Sequence, residues 1–224
     1  MNDNLDTYRP KAPRYIVVEG PIGVGKTSLA RRLAESFNSD LILEQPDENP
    51  FLEQFYSNRR SAALPTQLFF LFQRARQIEE IRQNDMFSPV RVADFLLEKD
   101  RLFAELNLDA HELNLYQQIY ETLNINPPSP DLVVYLQAPP AVLMRRVANR
   151  GLGYEKLIDQ NYLERLGEAY ARFFYAYDES PLLIVNAAII DPIHRDSDYQ
   201  ELLKAIYRIK HGRHFFNPAV GPIA

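Results

Sequence analysis

Glycine, lysine and hydroxyl residues near the start of the chain follow a phosphate-binding pattern. The segment GPIGVGKT fits G-x-x-x-x-G-K-[ST] at every fixed position. Backbone N–H groups of such a loop, and the positive N-terminus of the next helix, bind phosphate oxygens. The lysine can bridge the outer phosphates, and the threonine hydroxyl can bind magnesium. The alternative is a glycine turn that only packs a strand against a helix. The predicted triphosphate site comprises Gly20, Gly23, Gly25, Lys26, Thr27 and Ser28.

Glu44, in the segment LILEQP, follows the second apolar segment. The carboxyl ends of parallel strands line the ligand crevice of a sheet, which places Glu44 beside the phosphate loop. A carboxylate there is repelled by triphosphate unless it has a task, such as accepting the proton of an attacking hydroxyl. This favours a neutral, hydroxyl-bearing acceptor over a nucleoside monophosphate. The alternative is a solvated glutamate at a strand end.

A helical segment, PTQLFFLFQRARQIEEI, carries Gln67, Phe70 and Arg74 on nearly the same face. An amide, an aromatic ring and a guanidinium could stack on a base and read it, and a glutamine amide can pair bidentately with adenine. The pattern alone favours the alternative of a surface stripe beside an apolar core stripe. That apolar stripe is Leu68, Leu71, Ala75 and Ile78.

Two further groups of polar residues could serve phosphate chemistry. Asp94 ends the third apolar segment, VRVAD, where an acid can hold magnesium through water. Arg146 and Arg150 are four residues apart on a helix that runs into a glycine-containing loop. Such a segment is typical of a mobile lid that brings guanidinium groups onto transferring phosphates. The alternative is a solvated basic helix face.

Short apolar strands alternate with long helical segments along the chain. Strands are predicted at 15–19, 41–44, 90–94, 132–136 and 182–185, and helices at about 27–37, 65–82, 102–123, 141–149 and 161–177. This alternation predicts an α/β protein with a five-stranded parallel sheet covered by helices on both faces. With the phosphate loop and the arginine-containing lid, it is typical of the P-loop NTPase fold.

Composition limits the possible classes of protein. The chain has 224 residues, which predicts a single domain over 1–224, with a loose leader at 1–13 and an irregular tail at 211–224. The net charge of -5 argues against a nucleic-acid partner. The apolar runs are too short to span a bilayer, and the polar N-terminus has no signal peptide core. These features and the absence of cysteine predict a cytoplasmic protein without a membrane partner.

Taken together, the order and spacing of these elements resemble the deoxyribonucleoside kinase family, in its bacterial deoxyadenosine/deoxyguanosine kinase branch. The resemblance covers residues 14–208. The family has a Glu-x-Pro-like catalytic acid after the second strand, which EQP matches here. It has a tyrosine eleven residues before a base-reading glutamine, as in Tyr56 and Gln67. An arginine follows the glutamine by seven residues, as Arg74 does.

The resemblance also implies roles for later residues. An aspartate six residues after the strand-three acid pairs with the arginine under the base, and Asp100 stands there. The lid arginines match Arg146 and Arg150, and the sugar-binding glutamate matches Glu155. The resemblance implies that Tyr56 and Glu155 hold the 3′-hydroxyl and that crowding beneath the sugar disfavours a 2′-hydroxyl.

Two positions depart from the family pattern. Much of the family has an arginine directly after the strand-three acid, where this chain has Phe95 after Asp94. Leu152 stands where some members carry a third lid arginine. The first departure leaves open which cation supports the phosphates. The candidates near in sequence are Arg91, Lys99 and Arg101.

The resemblance implies an ATP-dependent kinase that converts a deoxynucleoside to its 5′-monophosphate, with Mg²⁺ as cofactor. In this hypothesis Glu44 takes the proton of the 5′-hydroxyl, and Lys26 and Arg146 stabilise the transferring phosphoryl group with help from Arg150. Thr27 and Asp94 place magnesium. Gln67, Arg74 and Asp100 read the base, and Phe70 is a further substrate-binding residue.

The family resemblance favours purines, with deoxyadenosine first, and implies a homodimer with the long helix after Asp100 as a plausible contact. The alternative activity is that of a nucleoside-monophosphate kinase of the thymidylate type. Such an enzyme needs basic residues at the acceptor, where this chain offers Glu44. A third possibility is a non-catalytic subunit with the same fold, against which the intact GKT, Glu44 and Asp94 argue.

Overall fold

The computed structural model describes residues 13–83 and 90–217. Most of the predicted leader and the end of the predicted tail lie outside these ranges. Six strands are β1 Tyr15–Glu19, β2 Asp40–Ile42, β3 Arg91–Ala93, β4 Leu132–Gln137, β5 Leu182–Asn186 and β6 Arg213–Phe216. The α-helices are α1 Lys26–Phe37, α2 Leu52–Ser57, α3 Arg59–Gln83, α4 Lys99–Asn107, α5 Ala110–Leu123, α6 Pro140–Arg150, α7 Gln160–Ala176 and α8 Asp196–Arg208. Short 3-10 turns cover Pro46–Glu48 and Tyr154–Leu157.

The strands form one sheet in the order β2-β3-β1-β4-β5-β6, and every neighbouring pair is parallel. The central strands are almost continuously apolar and buried, as expected where helices cover a parallel sheet. Ala93 pairs with Val17 and with Ile42, so β1, β2 and β3 end side by side. The predicted parallel α/β fold is confirmed, and the three strand ends meet at one edge of the sheet.

The predicted number of five strands is wrong, because β6 adds a sixth. This strand lies inside the segment 211–224 that the sequence predicts to be an irregular tail. Its residues, RHFF, are mostly exposed and show no apolar alternation, so nothing local marks them as a strand. Pairing comes from distant residues: Leu182 N donates to Gly212 O at 2.9 Å, and Arg213 donates to the carbonyl oxygens of Phe174, Tyr175 and Tyr177.

The helices differ from the prediction in three places. The single helix predicted at 102–123 is two helices, since Asp109 starts α5 with a capping box that Glu112 completes. Helix α3 begins at Arg59 and carries Pro65 inside it, whereas the prediction began at that proline. Helices α2 and α8 were not predicted. No helix in the described ranges is long and apolar enough to cross a membrane.

Candidate active site

The phosphate-binding segment connects β1 directly to α1, as its sequence predicts. Gly20 has φ of 148°, and a Cβ atom there would lie 2.4 Å from the carbonyl oxygen of Leu136. Gly23 has φ of 80°, and its Cβ would lie 2.8 Å from Val147 Cγ2. Glycine is therefore required at both positions by backbone conformation and by space. Gly25 precedes α1, and Ser28 lies exposed in the first turn of that helix.

Lys26 bends back over the loop. Its Nζ donates to the carbonyl oxygen of Gly20 at 2.8 Å and lies 3.4 Å from that of Pro21. Burial lowers the pKa of Lys26, and the nearby ammonium of Lys99 lowers it further. An ammonium in this position can exchange its carbonyl partners for phosphate oxygens.

Thr27 and Asp94, the two predicted magnesium residues, lie together. The Thr27 hydroxyl donates to Asp94 Oδ2, while Asp94 Oδ1 accepts from the backbone N–H of Glu44 at 2.7 Å. Hydroxyl and carboxylate oxygens are the hard ligands that Mg²⁺ takes in phosphoryl-transfer sites. Asp94 therefore joins the helix after the phosphate loop to the segment that carries Glu44.

Glu44 follows β2, and its backbone N–H joins it to Asp94. Its Oε1 is ion-paired with Arg74, and its Oε2 lies 3.1 Å from Lys99 Nζ. Burial alone would raise the pKa of Glu44, but the charges of Lys99, Arg74 and Lys26 outweigh it and lower the pKa to about 2. The carboxylate is therefore ionised and can accept a hydrogen bond, or a proton, from a bound hydroxyl.

The residues predicted to read a base form two layers. Gln67, Phe70 and Arg74 line the cavity, and the guanidinium of Arg74 lies 5.2 Å from the ring centre of Phe70. Asp100 is fully buried behind them and is not among the described residues that line the cavity. It accepts from Arg74, from Gln67 Nε2 at 2.9 Å and from the Tyr116 hydroxyl at 3.0 Å.

This arrangement corrects two expectations. Asp100 holds Gln67 and Arg74 in place and does not line the described cavity, so it is not placed to read a base directly. Gln67 Nε2 donates to both the backbone and the side chain of Asp100, so only Oε1 faces outward, and a bidentate contact with adenine is not prepared. Nothing in the sequence could reveal this, because the amide orientation depends on a residue 33 positions away.

Of the predicted sugar-binding residues, Tyr56 lies on α2 and Glu155 in the 3-10 turn after α6, the segment predicted to be a lid. Tyr56 lines the cavity, and its ring stacks on Tyr154 with the ring centres 6.1 Å apart. Glu155 is buried and forms a bidentate ion pair with Arg150. The Tyr154 hydroxyl donates to Asp47 at 2.8 Å, which joins the lid to the segment after β2.

Arg146 is the one predicted catalytic residue that the structure places elsewhere. Its guanidinium donates to Val24 O at 3.0 Å and to Ala187 O at 2.7 Å, so it joins the phosphate loop to the turn after β5. Within the described ranges it does not line the cavity that holds Glu44. Its position on α6 fits the sequence, but the direction of the side chain is set by these two distant carbonyl groups.

Sequence reasoning missed two groups in the site. Glu19, at the end of β1, is fully buried and accepts from the backbone N–H groups of Gly20 and Leu96 and from the Tyr170 hydroxyl. Tyr154 lines the cavity from the lid. A charged residue at the end of an otherwise apolar strand was an available signal for Glu19, whereas nothing local marked Tyr154.

The charges around the cavity are balanced in pairs. Its described lining contains four cations, of which Arg74, Lys99 and Arg150 are ion-paired with carboxylates. Lys26 of the phosphate loop donates to carbonyl groups. Three of the four cations thus already have carboxylate partners, and the fourth belongs to the phosphate loop, which favours an uncharged acceptor next to Glu44.

Comparison with known proteins identifies the family of the chain. The family described as deoxynucleoside kinase matches residues 16–210. The chain is 34% identical over 194 residues to a deoxyguanosine kinase of Bacillus subtilis, covering 84% of this chain and 93% of that protein. It is 27% identical over 207 residues to a deoxyadenosine kinase of Lactobacillus acidophilus, covering 86% and 94%.

The fold also agrees with solved structures. A deoxyadenosine kinase from M. mycoides with bound dATP superposes with a TM-score of 0.75 at 24% identity, covering 86% of this chain and 98% of that one. This likeness supports the fold, and the sequence matches support the family. The chain belongs to the deoxynucleoside kinase family.

Proposed function

We propose that this enzyme transfers the γ-phosphoryl group of ATP to the 5′-hydroxyl of a purine deoxynucleoside, with Mg²⁺ as cofactor. Phosphorylation of deoxynucleosides to monophosphates is the activity of its family. The observation that carries the proposal is Glu44, an ionised carboxylate in a cavity that also contains Lys26 and Thr27 of the phosphate loop. An uncharged alcohol fits that carboxylate, and a second phosphate does not.

The chemistry follows from this placement. The 5′-oxygen forms a bond to the γ-phosphorus, the bond from that phosphorus to the β,γ-bridging oxygen breaks, and the hydroxyl proton passes to Glu44. Lys26 and the loop N–H groups bind the outer phosphates. Thr27 and Asp94 would hold magnesium, which neutralises phosphate charge. Arg146 borders the phosphate loop from the lid helix and supports the donor nucleotide.

The sugar and base are bound by the remaining cavity residues. Tyr56 and Glu155 hold the 3′-hydroxyl under the lid, and Phe70 stacks on the base. Gln67 presents Oε1, an acceptor, because its amide nitrogen donates to Asp100. An acceptor suits the exocyclic amine of adenine, so we place deoxyadenosine first. Most of the relatives' names support purines, since they are deoxyguanosine and deoxyadenosine kinases, and one is a deoxyadenosine/deoxycytidine kinase.

A panel assay tests the proposal. Purified protein with ATP and Mg²⁺ is given each of the four deoxynucleosides, two ribonucleosides, dAMP and dTMP, and ADP release is measured. We expect turnover with deoxyadenosine and deoxyguanosine, and little with ribonucleosides or monophosphates. Turnover with dTMP or dAMP alone would replace this proposal by the monophosphate kinase, and no turnover with any acceptor would indicate a non-catalytic member.

We further propose a cytoplasmic homodimer. Phe72 of α3 and Leu115 of α5 are each 46% exposed, and these two helices pack against each other. Exposed large apolar side chains on adjoining helices are typical of a surface that binds a partner. This surface includes α5, the second half of the helix that the sequence suggested as a dimer contact.

A further inference from the structure

Lys99 is a buried cation near the third strand. Its side chain is 2% exposed, and its Nζ lies 3.1 Å from Glu44 Oε2 and 3.7 Å from Glu19 Oε2. Removing an ammonium from water costs several kcal/mol per ion even inside a real protein. Arg74 already pairs with Glu44 on its other oxygen. A second buried cation on the same carboxylate therefore needs a reason beyond neutralising Glu44.

Phe95 and the other two candidate cations do not line the described cavity. Phe95, at the position of the family arginine, is apolar and 1% exposed in the core. Arg101 is exposed, and its guanidinium lies 5.9 Å from the ring centre of Tyr120. Arg91 is buried at the start of β3, outside the described cavity lining. Of the three candidate cations, Lys99 alone lines the described cavity.

Lys99 shares the described cavity with a second ammonium, that of Lys26. Both lysines line the cavity that contains Thr27 and Asp94. Two like charges that converge on one cavity repel each other, and an anion bound between them removes this repulsion. Beside a phosphate loop, that anion is the phosphoryl group.

Glu19 fixes Lys99 independently of Glu44. Its two oxygens accept from Gly20 N at 2.8 Å, Leu96 N at 2.9 Å and the Tyr170 hydroxyl at 3.0 Å, so the carboxylate cannot rotate freely. A lysine ammonium has three N–H donors. When Glu44 turns to a substrate hydroxyl, Lys99 keeps Glu19 as a counter-ion and retains donors for another acceptor.

We propose that Lys99 is a catalytic residue that donates to the transferring phosphoryl group from the acceptor side, in the role left open by Phe95. The inference rests on the proposed function. The 5′-oxygen–phosphorus bond forms, the bond to the leaving ADP oxygen breaks, and Glu44 takes the proton. Lys99 stays protonated throughout and stabilises the negative charge on the phosphoryl oxygens, as Lys26 does from the loop side.

Neutral replacements of Lys99 test this role. Lys99→Met keeps the length of the side chain, and Lys99→Gln keeps a donor without the charge. For both we expect kcat to fall about 10²–10³-fold, as on loss of one charge-stabilising donor. The Kd for deoxyadenosine, measured by calorimetry without ATP, should change less than about threefold, a factor that corresponds to under one kcal/mol. Arg101→Met, two residues along the same helix, is the control and should keep wild-type kcat.

The pH profile separates this role from simple neutralisation of Glu44. If Lys99 only kept Glu44 ionised, the variants would recover at high pH, where that carboxyl is ionised without help. We expect kcat to stay low from pH 6 to pH 9. The proposal is wrong if either variant comes within threefold of wild-type kcat at any pH, or loses deoxyadenosine binding more than about tenfold. An inactive wild-type protein would instead contradict the proposed function.

Discussion

Glu44 is the residue on which the proposed chemistry depends. It lies between Arg74 and Lys99, and its backbone N–H donates to Asp94, which also accepts from the Thr27 hydroxyl. The acid, the candidate metal ligands and the cations thus form one connected group. Single substitutions among these residues should have different effects. Replacing a residue proposed to contact the substrate should lower turnover, whereas replacing a residue that holds it in place should also lower stability.

Glu44→Gln removes the proton acceptor and keeps the shape of the side chain. We expect kcat to fall about 10²–10⁴-fold, the usual cost of losing a general base. Deoxyadenosine affinity should change far less, because Tyr56, Glu155 and Gln67 remain. Steady-state kinetics and calorimetry measure the two quantities. Unchanged turnover would remove Glu44 from the mechanism.

The low pKa of Glu44 makes a prediction for stability. The pKa is about 2 in the folded protein and about 4.3 for a free glutamate. The charged form therefore contributes stability above pH 4.3, and this contribution is lost as the pH falls toward 2. We expect the difference in unfolding free energy between wild type and Glu44→Gln to shrink between pH 4.5 and pH 2.5. Urea unfolding at several pH values checks this, and a constant difference would contradict the ion pairs.

Arg74 bridges Glu44 and Asp100 in the interior, and its side chain is 4% exposed. Arg74→Met leaves both carboxylates without this partner, and breaking a buried pair in this way costs about 3–5 kcal/mol. We expect that loss of unfolding free energy in urea titrations at pH 7. The matched variant Arg76→Met, at an exposed position of the same helix, should change stability by less than about 0.5 kcal/mol.

The lid is held by contacts between elements far apart in the chain. Tyr154 in the 3-10 turn donates to Asp47 at 2.8 Å and stacks on Tyr56 of α2. Glu155 and Arg150, next to this contact, line the cavity. The Tyr154–Asp47 bond therefore keeps two cavity residues, Arg150 and Glu155, in place.

Tyr154→Phe removes this hydrogen bond and keeps the stacked ring. A net hydrogen bond contributes about 0.5–1.5 kcal/mol, so we expect KM for the deoxynucleoside to rise about 2–10-fold with a smaller change in kcat. Asp47→Ala should have the same effect. The double variant should be no worse than either single variant, because all three lose the same contact. Additive effects in this cycle would show that the two residues act separately.

The whole molecule has an α/β fold, and the candidate site residues lie at the carboxyl ends of the parallel strands. β1, β2 and β3 end together. Glu19 and the phosphate loop lie at the end of β1, Glu44 follows β2, and Asp94 follows β3. Phe72 of α3 and Leu115 of α5 offer exposed apolar side chains outside the described cavity lining, and these two carry the proposed dimer surface.

Leu115→Glu places a charge in the proposed dimer surface. We expect the wild type to sediment as a dimer and the variant as a monomer, since a buried charge at an interface costs several kcal/mol without a partner. Analytical ultracentrifugation measures the two states. Ile189→Glu, at another exposed apolar position, is the control and should remain dimeric. A monomeric wild type would contradict the dimer.

The sequence alone determined the features that depend on neighbouring residues. The phosphate loop, the apolar strands and most helices were predictable, because GPIGVGKT, buried runs and helical spacing are local patterns. The acids after β2 and β3 were predictable as well, because parallel strands end at the same edge. Family resemblance added Tyr56, Asp100 and Glu155, which local patterns do not single out.

The tertiary structure decided what depends on contacts between distant segments. β6 forms because β5 and the carbonyl groups around Phe174 pair with it, although RHFF has no strand pattern. Arg146 turns to Val24 and Ala187, away from the cavity. The sequence left three candidates for the cation that supports the phosphates, and the structure places the ammonium of one of them, Lys99, between Glu44 and Glu19. The direction of a long charged side chain is set by the partners that compensate its burial, and those partners come from elsewhere in the chain.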